Sequence, residues 1–388
     1  MYLMRKILIV SSKGISSHNF DGAGKRIFEI AKFLSKKNRV DFVCLENKKP
    51  IIKDNFKFFN SIKEFRLNFI FRILNALLSI LQFQPMQKGF FFSKNMFDFI
   101  NDNKDDYDVI IFHLIRSAQY LPNNFHGKTI LEMTDLGSEN YSQIIKNMSV
   151  FNPLTYLYIL EKTLLRSYER KLSNSFDKVV FISKNELFIT KNFIDKDRIE
   201  VIGTSAIPNK KIYRYKRVNN KILFIGNINY LPNKLACYNF SKNIMPKLNE
   251  VNPELKFNII GRINFFDKFF LKLFKNIEIH GPVLKPDKII KKSVCGICNL
   301  NVATGIQNKI FTYLSYGLPT IVTKKCLPDN LSKNKEILVY NNNNELIHLI
   351  KDLYKNKKTA EKISKNGFKA LKIKYNMLKT YGRYLKII

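Results

Sequence analysis

Tryptophan is absent from this chain, and acidic residues are scarce: 31 Asp and Glu face 66 Lys and Arg, for a formal net charge of +35. The missing tryptophan accompanies a surplus of Lys, Asn, Ile and Phe, a bias that looks like AT-rich coding. Part of the lysine excess is therefore compositional. The remaining charge points to nucleic acid, an anionic membrane surface or phosphorylated substrates as partners. Zinc-finger spacing, an RRM signature and a helix-turn-helix pattern are all lacking, and the lysines are spread along the chain, which argues against nucleic acid. A spread basic face suits an anionic leaflet, at about 1 kcal/mol per Lys or Arg near the surface.

Cysteine is also sparse. Cys44, Cys237, Cys295, Cys298 and Cys326 are odd in number and follow no secretory leader, so a reduced, cytoplasmic compartment is expected. The apolar run at the start covers only Ile7 to Val10 and reads as a first buried strand. No stretch reaches the roughly 20 apolar residues of a bilayer span. The nearest, residues 67–83, contains Arg72, Asn68, Asn75, Ser79 and Gln82. A helix buried or half-buried against a protein core is expected there, in preference to one dipping into a membrane interface.

Other absences narrow the chemistry. No His, Cys and carboxylate set has metal-ligand spacing, so no metal and no cofactor are expected. No Gly-x-Ser-x-Gly elbow occurs. Gly22 to Lys25 (GAGK) is not a phosphate loop, because Asn19 stands where the upstream Gly is needed and Arg26 replaces Ser or Thr. Cys295-Gly-Ile-Cys298 lies in an apolar strand and reads as buried small side chains.

What is present is a repeated alternation of strands and helices. Lys6–Val10, Val40–Leu45, Asp108–His113, Lys128–Met133, Lys178–Ile182 and Glu200–Ile202 read as strands. Helices are expected over about 24–37 and over 153–173, with Pro153 suited to a first turn. Residues 206–220 are polar and basic and read as a linker. The pattern then restarts with Lys221–Ile225, Lys256–Ile260, Ile277–Ile279, Gly296–Leu300 and Thr320–Val322. Strands that are apolar on both faces and separated by helices imply α/β domains with covered parallel sheets. The expected domains are 1–205 and 221–375, followed by a last helix at 376–388.

The second half carries the sharpest motif. Residues 305–309 read GIQNK, and Gly317-Leu318-Pro319 follows at the end of a small-residue helix. The half opens with FIGNINYLPN at 224–233. Together these resemble the G-x-Q-N-K branch of the group 1 bacterial glycosyltransferases. The weaker stretches YDVIIFHLIRSAQYL (107–121) and LEMTDLGS (131–138) are similar to acceptor-domain motifs of the same branch.

The resemblance implies the GT-B architecture, two Rossmann-like domains facing a central cleft, and a metal-independent, retaining transfer. The substrate would be a nucleotide-sugar donor and the acceptor a glycan or lipid-linked glycan, in lipopolysaccharide, capsule or exopolysaccharide synthesis. The enzyme would be peripheral on the inner face of the cytoplasmic membrane. Donor contacts would come from Gly226, Asn227, Asn229, Lys234, Arg262, Gly305, Ile306, Gln307, Asn308 and Thr312. Lys309 would offset diphosphate charge, and His113 and Asp135 would act beside it. Gly22, Gly24, Arg116 and Ser138 would lie on the acceptor side. Thr312 stands where the family usually has a Glu holding the ribose, which keeps open a second reading, a binding or scaffold protein that retains the fold and has lost turnover.

Overall fold

The computed structural model describes the chain except residues 1–2, 16–21, 47–55, 147, 210–211, 213–218, 284–285 and 302–306. It divides into two compact units, Met1–Thr204 together with Met377–Ile388, and Ser205–Asn376.

The described residues of the N-terminal unit form seven strands: β1 (Lys6–Ser11), β2 (Arg39–Leu45), β3 (Ser61–Phe65), β4 (Val109–His113), β5 (Lys128–Thr134), β6 (Lys178–Phe181) and β7 (Ile199–Val201). They pair in parallel in the order β3-β2-β1-β4-β5-β6-β7. Successive side chains of β1 serve two cores, as the pleat requires. Ile7 and Ile9 pack with Ile27, Ile30 and Phe42 on one face. Leu8 and Val10 pack with Ile110, Phe112 and Leu165 on the other. Helices α1 (Gly22–Leu34), α2 (Phe69–Leu81), α3 (Met86–Phe90), α4 (Lys94–Asn103), α5 (Gly137–Ile145), α6 (Pro153–Ser173) and α7 (Lys184–Thr190) occur between the strands. Asn152 caps α6 with its side chain, and Pro153 occupies the first turn.

The described residues of the C-terminal unit form a six-stranded sheet from β8 (Lys221–Ile225), β9 (Lys256–Ile260), β10 (Ile277–Ile279), β11 (Ser293–Cys298), β12 (Thr320–Thr323) and β13 (Leu338–Tyr340). Its order is β10-β9-β8-β11-β12-β13, again parallel. Its helices are α8 (Leu231–Asn239), α9 (Met245–Asn249), α10 (Phe265–Lys272), α11 (Asp287–Ile290), α12 (Asn308–Ser315), α13 (Asn343–Lys355) and α14 (Lys357–Lys374).

Both sheets reverse direction of growth once, between β1 and β4 and between β8 and β11. In an open parallel sheet such a switch point leaves a crevice beyond the carboxyl ends of the strands, where ligands bind.

The chain then returns to the N-terminal unit. Residues 376–388, expected as one helix, form two short ones, α15 (Met377–Tyr381) and α16 (Tyr384–Ile387), divided by a turn at Gly382 and Arg383. Tyr381 donates to Glu29 at 2.8 Å. Tyr384 hydrogen-bonds Glu132, a fully buried carboxylate paired with Arg26 at 2.6 Å. The Arg26 guanidinium also donates to the carbonyls of Ile202 and Gly203, at 2.7 and 2.6 Å. Paired and hydrogen-bonded on several sides, this buried charge is tolerated.

One expectation fails. The helix within 67–83 does form, as α2, but only Ser79 of its thirteen residues is buried. It is not a core helix; its apolar side chains face outward.

Candidate functional site

In the C-terminal unit the loops beyond β8 and β9 are locked backbone to backbone. The Gly226 amide donates to the Ile260 carbonyl at 2.9 Å, and the Ile228 amide to the Arg262 carbonyl at 2.7 Å. Gly261 has φ +146°, and a Cβ there would fall 1.7 Å from the Gly226 carbonyl oxygen. Only glycine permits this approach. Asn229 accepts the Asn264 amide at 2.8 Å, adding a side-chain tie between the same two loops.

Helix α12 enters from the other side of the switch point. Its Tyr313 hydroxyl accepts the Ile225 amide at 2.8 Å and donates to the Ile297 carbonyl at 3.2 Å, so one buried side chain joins α12 to both β8 and β11. Gln307 occupies the N-cap position of α12 and Asn308 its first turn. Thr312 sits one turn on, half-buried, donating its hydroxyl to the Asn308 carbonyl at 3.2 Å. Gly305 and Ile306 lie outside the described residues.

Two lysines turn out differently from the sequence reading. Lys309 is buried. Its ammonium donates to Asn233 Oδ1 at 2.6 Å and lies 4.1 Å from the centroid of the Phe224 ring. Burial pushes its pKa below the ordinary lysine value. Asn233 in turn donates to the Asn227 carbonyl at 2.9 Å, so Lys309, Asn233 and Asn227 form one chain of contacts from α12 to the loop after β8. Lys234 is committed to Asp267 at 2.7 Å. Arg262, just beyond β9, is an exposed cation.

In the N-terminal unit the switch point brings Ser11 and His113 into register at the ends of β1 and β4. His113 is buried, and its carbonyl accepts the Ser117 hydroxyl at 2.7 Å. Just beyond, Arg116 stacks 4.5 Å over the Phe91 ring. Asp135 follows β5 after Thr134, whose φ is +66°, and accepts from Asn140 at 3.1 Å. Ser138 gives both its amide and its hydroxyl to the Glu169 carboxylate, at 3.1 and 2.5 Å. Burial pushes the Glu169 carboxyl up to about 7, against the hydrogen bonds from Ser138 and Gly137. Gly22 and Gly24 form the first turn of α1. His113, Arg116, Asp135 and Ser138 thus gather at the carboxyl ends of adjacent strands.

The sequence reading missed the residues that hold these loops: Asn233, Asp267, Glu169 and the Arg26–Glu132 pair. Asn233 closes the FIGNINYLPN stretch, but an Asn in a turn carries no signal that it will clamp a lysine 76 positions later. All five cysteines are free and buried. Among the described residues no three His, Cys, Asp or Glu side chains converge on a point that could hold a metal ion.

Residues 219–356 match the family model of the group 1 glycosyl transferases. That match lies within the C-terminal unit. An uncharacterized 44.6 kDa protein in the cps region of Klebsiella pneumoniae is 26% identical over 198 residues, 49% of this chain and 47% of that protein. The chain thus spans about half the length of the curated relative it matches. Among solved structures, HepE of Anabaena in complex with UDP-glucose superposes with a TM-score of 0.68 at 12% identity, covering 98% of both chains. The lipopolysaccharide outer core galactosyltransferase WaaB gives 0.60 at 13% identity, also over 98% of both. At these identities the likeness establishes the fold, the α/β GT-B architecture of two Rossmann-like domains.

Proposed function

We infer that this chain transfers a sugar from a nucleotide-sugar donor to a glycan or lipid-linked acceptor during synthesis of a cell-surface polysaccharide. The observation that carries this reading is the Gly226–Gly261 lock beside the N-terminus of α12 at the β8/β11 switch point. Backbone without side chains next to a helix N-terminus suits a diphosphate. The family match over the same residues and the UDP-glucose complex of HepE support a nucleotide-sugar as the ligand.

The diphosphate lies against Gly226 and the first amides of α12. Gln307 and Asn308 address the sugar, and Thr312 the ribose through its remaining lone pairs. Arg262, rather than Lys234 or Lys309, supplies the cation that meets charge developing on the leaving diphosphate. Lys309 is a positioning residue that fixes the Asn227–Asn229 loop through Asn233. An acceptor hydroxyl attacks the anomeric carbon as its bond to the diphosphate breaks, its proton leaving with the departing diphosphate, with retention and without a resident metal. His113, Asp135, Arg116 and Ser138, with Gly22 and Gly24, form the acceptor side. The cps-region relative and WaaB support a surface-glycan pathway. The proposed reaction runs peripherally at the inner face of the cytoplasmic membrane.

A second reading, a fold-retaining binding protein without turnover, is favoured by one observation: the Thr312 hydroxyl proton is already given to Asn308. A thermal-shift panel of UDP-, GDP-, ADP- and CMP-sugars tests donor binding, since a ligand bound to the native state raises its melting temperature. A shift without nucleotide release in the presence of acceptor lipid extract would favour the binding protein; no shift with any donor would reject both readings.

A further inference from the structure

The exposed helix α2 has a definite pattern. Ile70, Ile73, Leu74, Leu77, Leu78 and Leu81 recur at the three- and four-residue spacing of a single helical stripe, and they are 42–77% exposed. Phe69, Phe71 and Phe83 widen it. Thirteen residues of helix extend about 20 Å, so this is a continuous apolar surface and not a scatter of single side chains.

The stripe is presented by a firm support. Helix α3 packs against the back of α2 so closely that a Cβ at Gly89 would fall 1.9 Å from the Asn75 carbonyl oxygen. The first amides of α3, at Met86 and Gln87, are taken by the buried Glu161 carboxylate of α6 at 2.7 and 3.3 Å. The N-terminal half of α6, with Phe151 two residues ahead of it, also turns apolar side chains outward: Phe151, Leu154, Leu157 and Leu160 are 36–92% exposed.

The charge pattern selects the occupant. Between Glu64 and Asp98 there is no acidic residue, while Arg66, Arg72, Lys88 and Lys94 fall in that stretch. Between Glu139 and Glu161 the single charge is Lys146. An apolar face with basic flanks and no acid matches an anionic bilayer, where leucine and phenylalanine enter the headgroup boundary and Lys and Arg meet lipid phosphates. Among the described residues no helix is long and apolar enough to cross a membrane, so insertion would be shallow.

We propose that α2, with the outer face of the N-terminal half of α6, is a membrane-docking surface that lays the N-terminal unit on an anionic lipid leaflet. The proposal names the surface for the membrane partner of the functional reading above and rests on that reading only for which cellular membrane the leaflet belongs to.

Flotation of the full chain with phosphatidylcholine vesicles, with and without phosphatidylglycerol, tests it. The wild type floats with the phosphatidylglycerol vesicles and far less with phosphatidylcholine alone. Leu77→Glu combined with Leu81→Glu lowers the bound fraction by about tenfold or more, because two inserted leucines are replaced by charges that the leaflet repels. Ile70→Ser with Leu74→Ser, a neutral pair at the other end of the stripe, gives a smaller loss in the same direction. All four positions are at least 42% exposed, so both variants keep the wild-type melting temperature. Failure of the wild type to float, or flotation of both variants like the wild type, overturns the proposal. So does loss of binding only in Phe266→Ser with Phe270→Ser on α10, or a light-scattering dimer that the α2 variants abolish while vesicle binding persists. The donor-induced thermal shift, measured on the same variants, stays intact if docking alone is at fault and is missing from the wild type if the transfer reading is.

Discussion

Replacing Lys309 with alanine separates a clamp from a ligand-facing charge. The substitution removes buried methylenes worth roughly 0.8 kcal/mol each. It also strands Asn233 Oδ1, an unmet acceptor costing about 1–3 kcal/mol, and forfeits the contact over Phe224, about 0.5–2 kcal/mol. Relief from burying an ammonium offsets part of this. The expected net loss is about 2–4 kcal/mol in the C-terminal unit, against the negligible loss expected of a solvent-facing lysine. The chain holds two compact units, so the assay is calorimetry with the two transitions resolved and only the C-terminal one moving. A double-mutant cycle with Asn233→Ala should return a coupling of about 1–2 kcal/mol. Nucleotide affinity should fall by a similar factor, about tenfold, in both single variants and the double, because each frees the same loop. Additivity within about 0.5 kcal/mol would refute the clamp. An unchanged melting profile with lost affinity would instead place the ammonium on the diphosphate.

Three further outcomes follow from individual contacts. Gly261→Ala must displace the Gly226 carbonyl and should cost about 3 kcal/mol and most of the nucleotide binding; a variant with wild-type melting temperature and affinity would show that the loops are not locked. Glu169→Gln should stabilise the N-terminal unit increasingly as pH rises. The folded carboxyl titrates near 7, above its unfolded value, so the native state binds the extra proton between about pH 4.5 and 7 and wild-type stability falls across that window, by about 2–3 kcal/mol between pH 5 and 8. Equal melting differences at pH 5 and 8 would refute the raised pKa. Thr312→Glu should tighten donor binding by about 1–2 kcal/mol through a charge-assisted contact to the ribose; a loss of more than about tenfold would mean the pocket is shaped around Thr312.

The fold was largely legible because its strands are apolar on both faces. Ile7–Val10 and Lys256–Ile260 read as buried parallel strands and are such. β3 has no clear sequence signal because Ser61–Phe65 is a half-exposed edge strand carrying Lys63 and Glu64; the short edge strand β13 was not read either. The outward face of α2 was misread because periodicity gives a helix an apolar side without saying what covers it. At the candidate site, motifs located the loops but not the side-chain directions. Whether Lys309 and Lys234 face a ligand depends on Asn233 and Asp267, contacts that spacing does not encode. The tie of Tyr384 to Glu132 spans 252 positions and has no local signature.

The reaction proposed for this chain is transfer of a sugar from a nucleotide donor bound at the β8/β11 switch point. Its most direct test is nucleoside diphosphate release by the purified full chain, given the donor that shifts its melting temperature and membrane lipid extract as acceptor. Release should require both substrates, yield a glycosylated product by mass, and fall about 100-fold in Arg262→Ala, the range for losing one electrostatic stabiliser. Donor binding without release, or release and product formation unaffected by Arg262→Ala and Gly261→Ala alike, would contradict it.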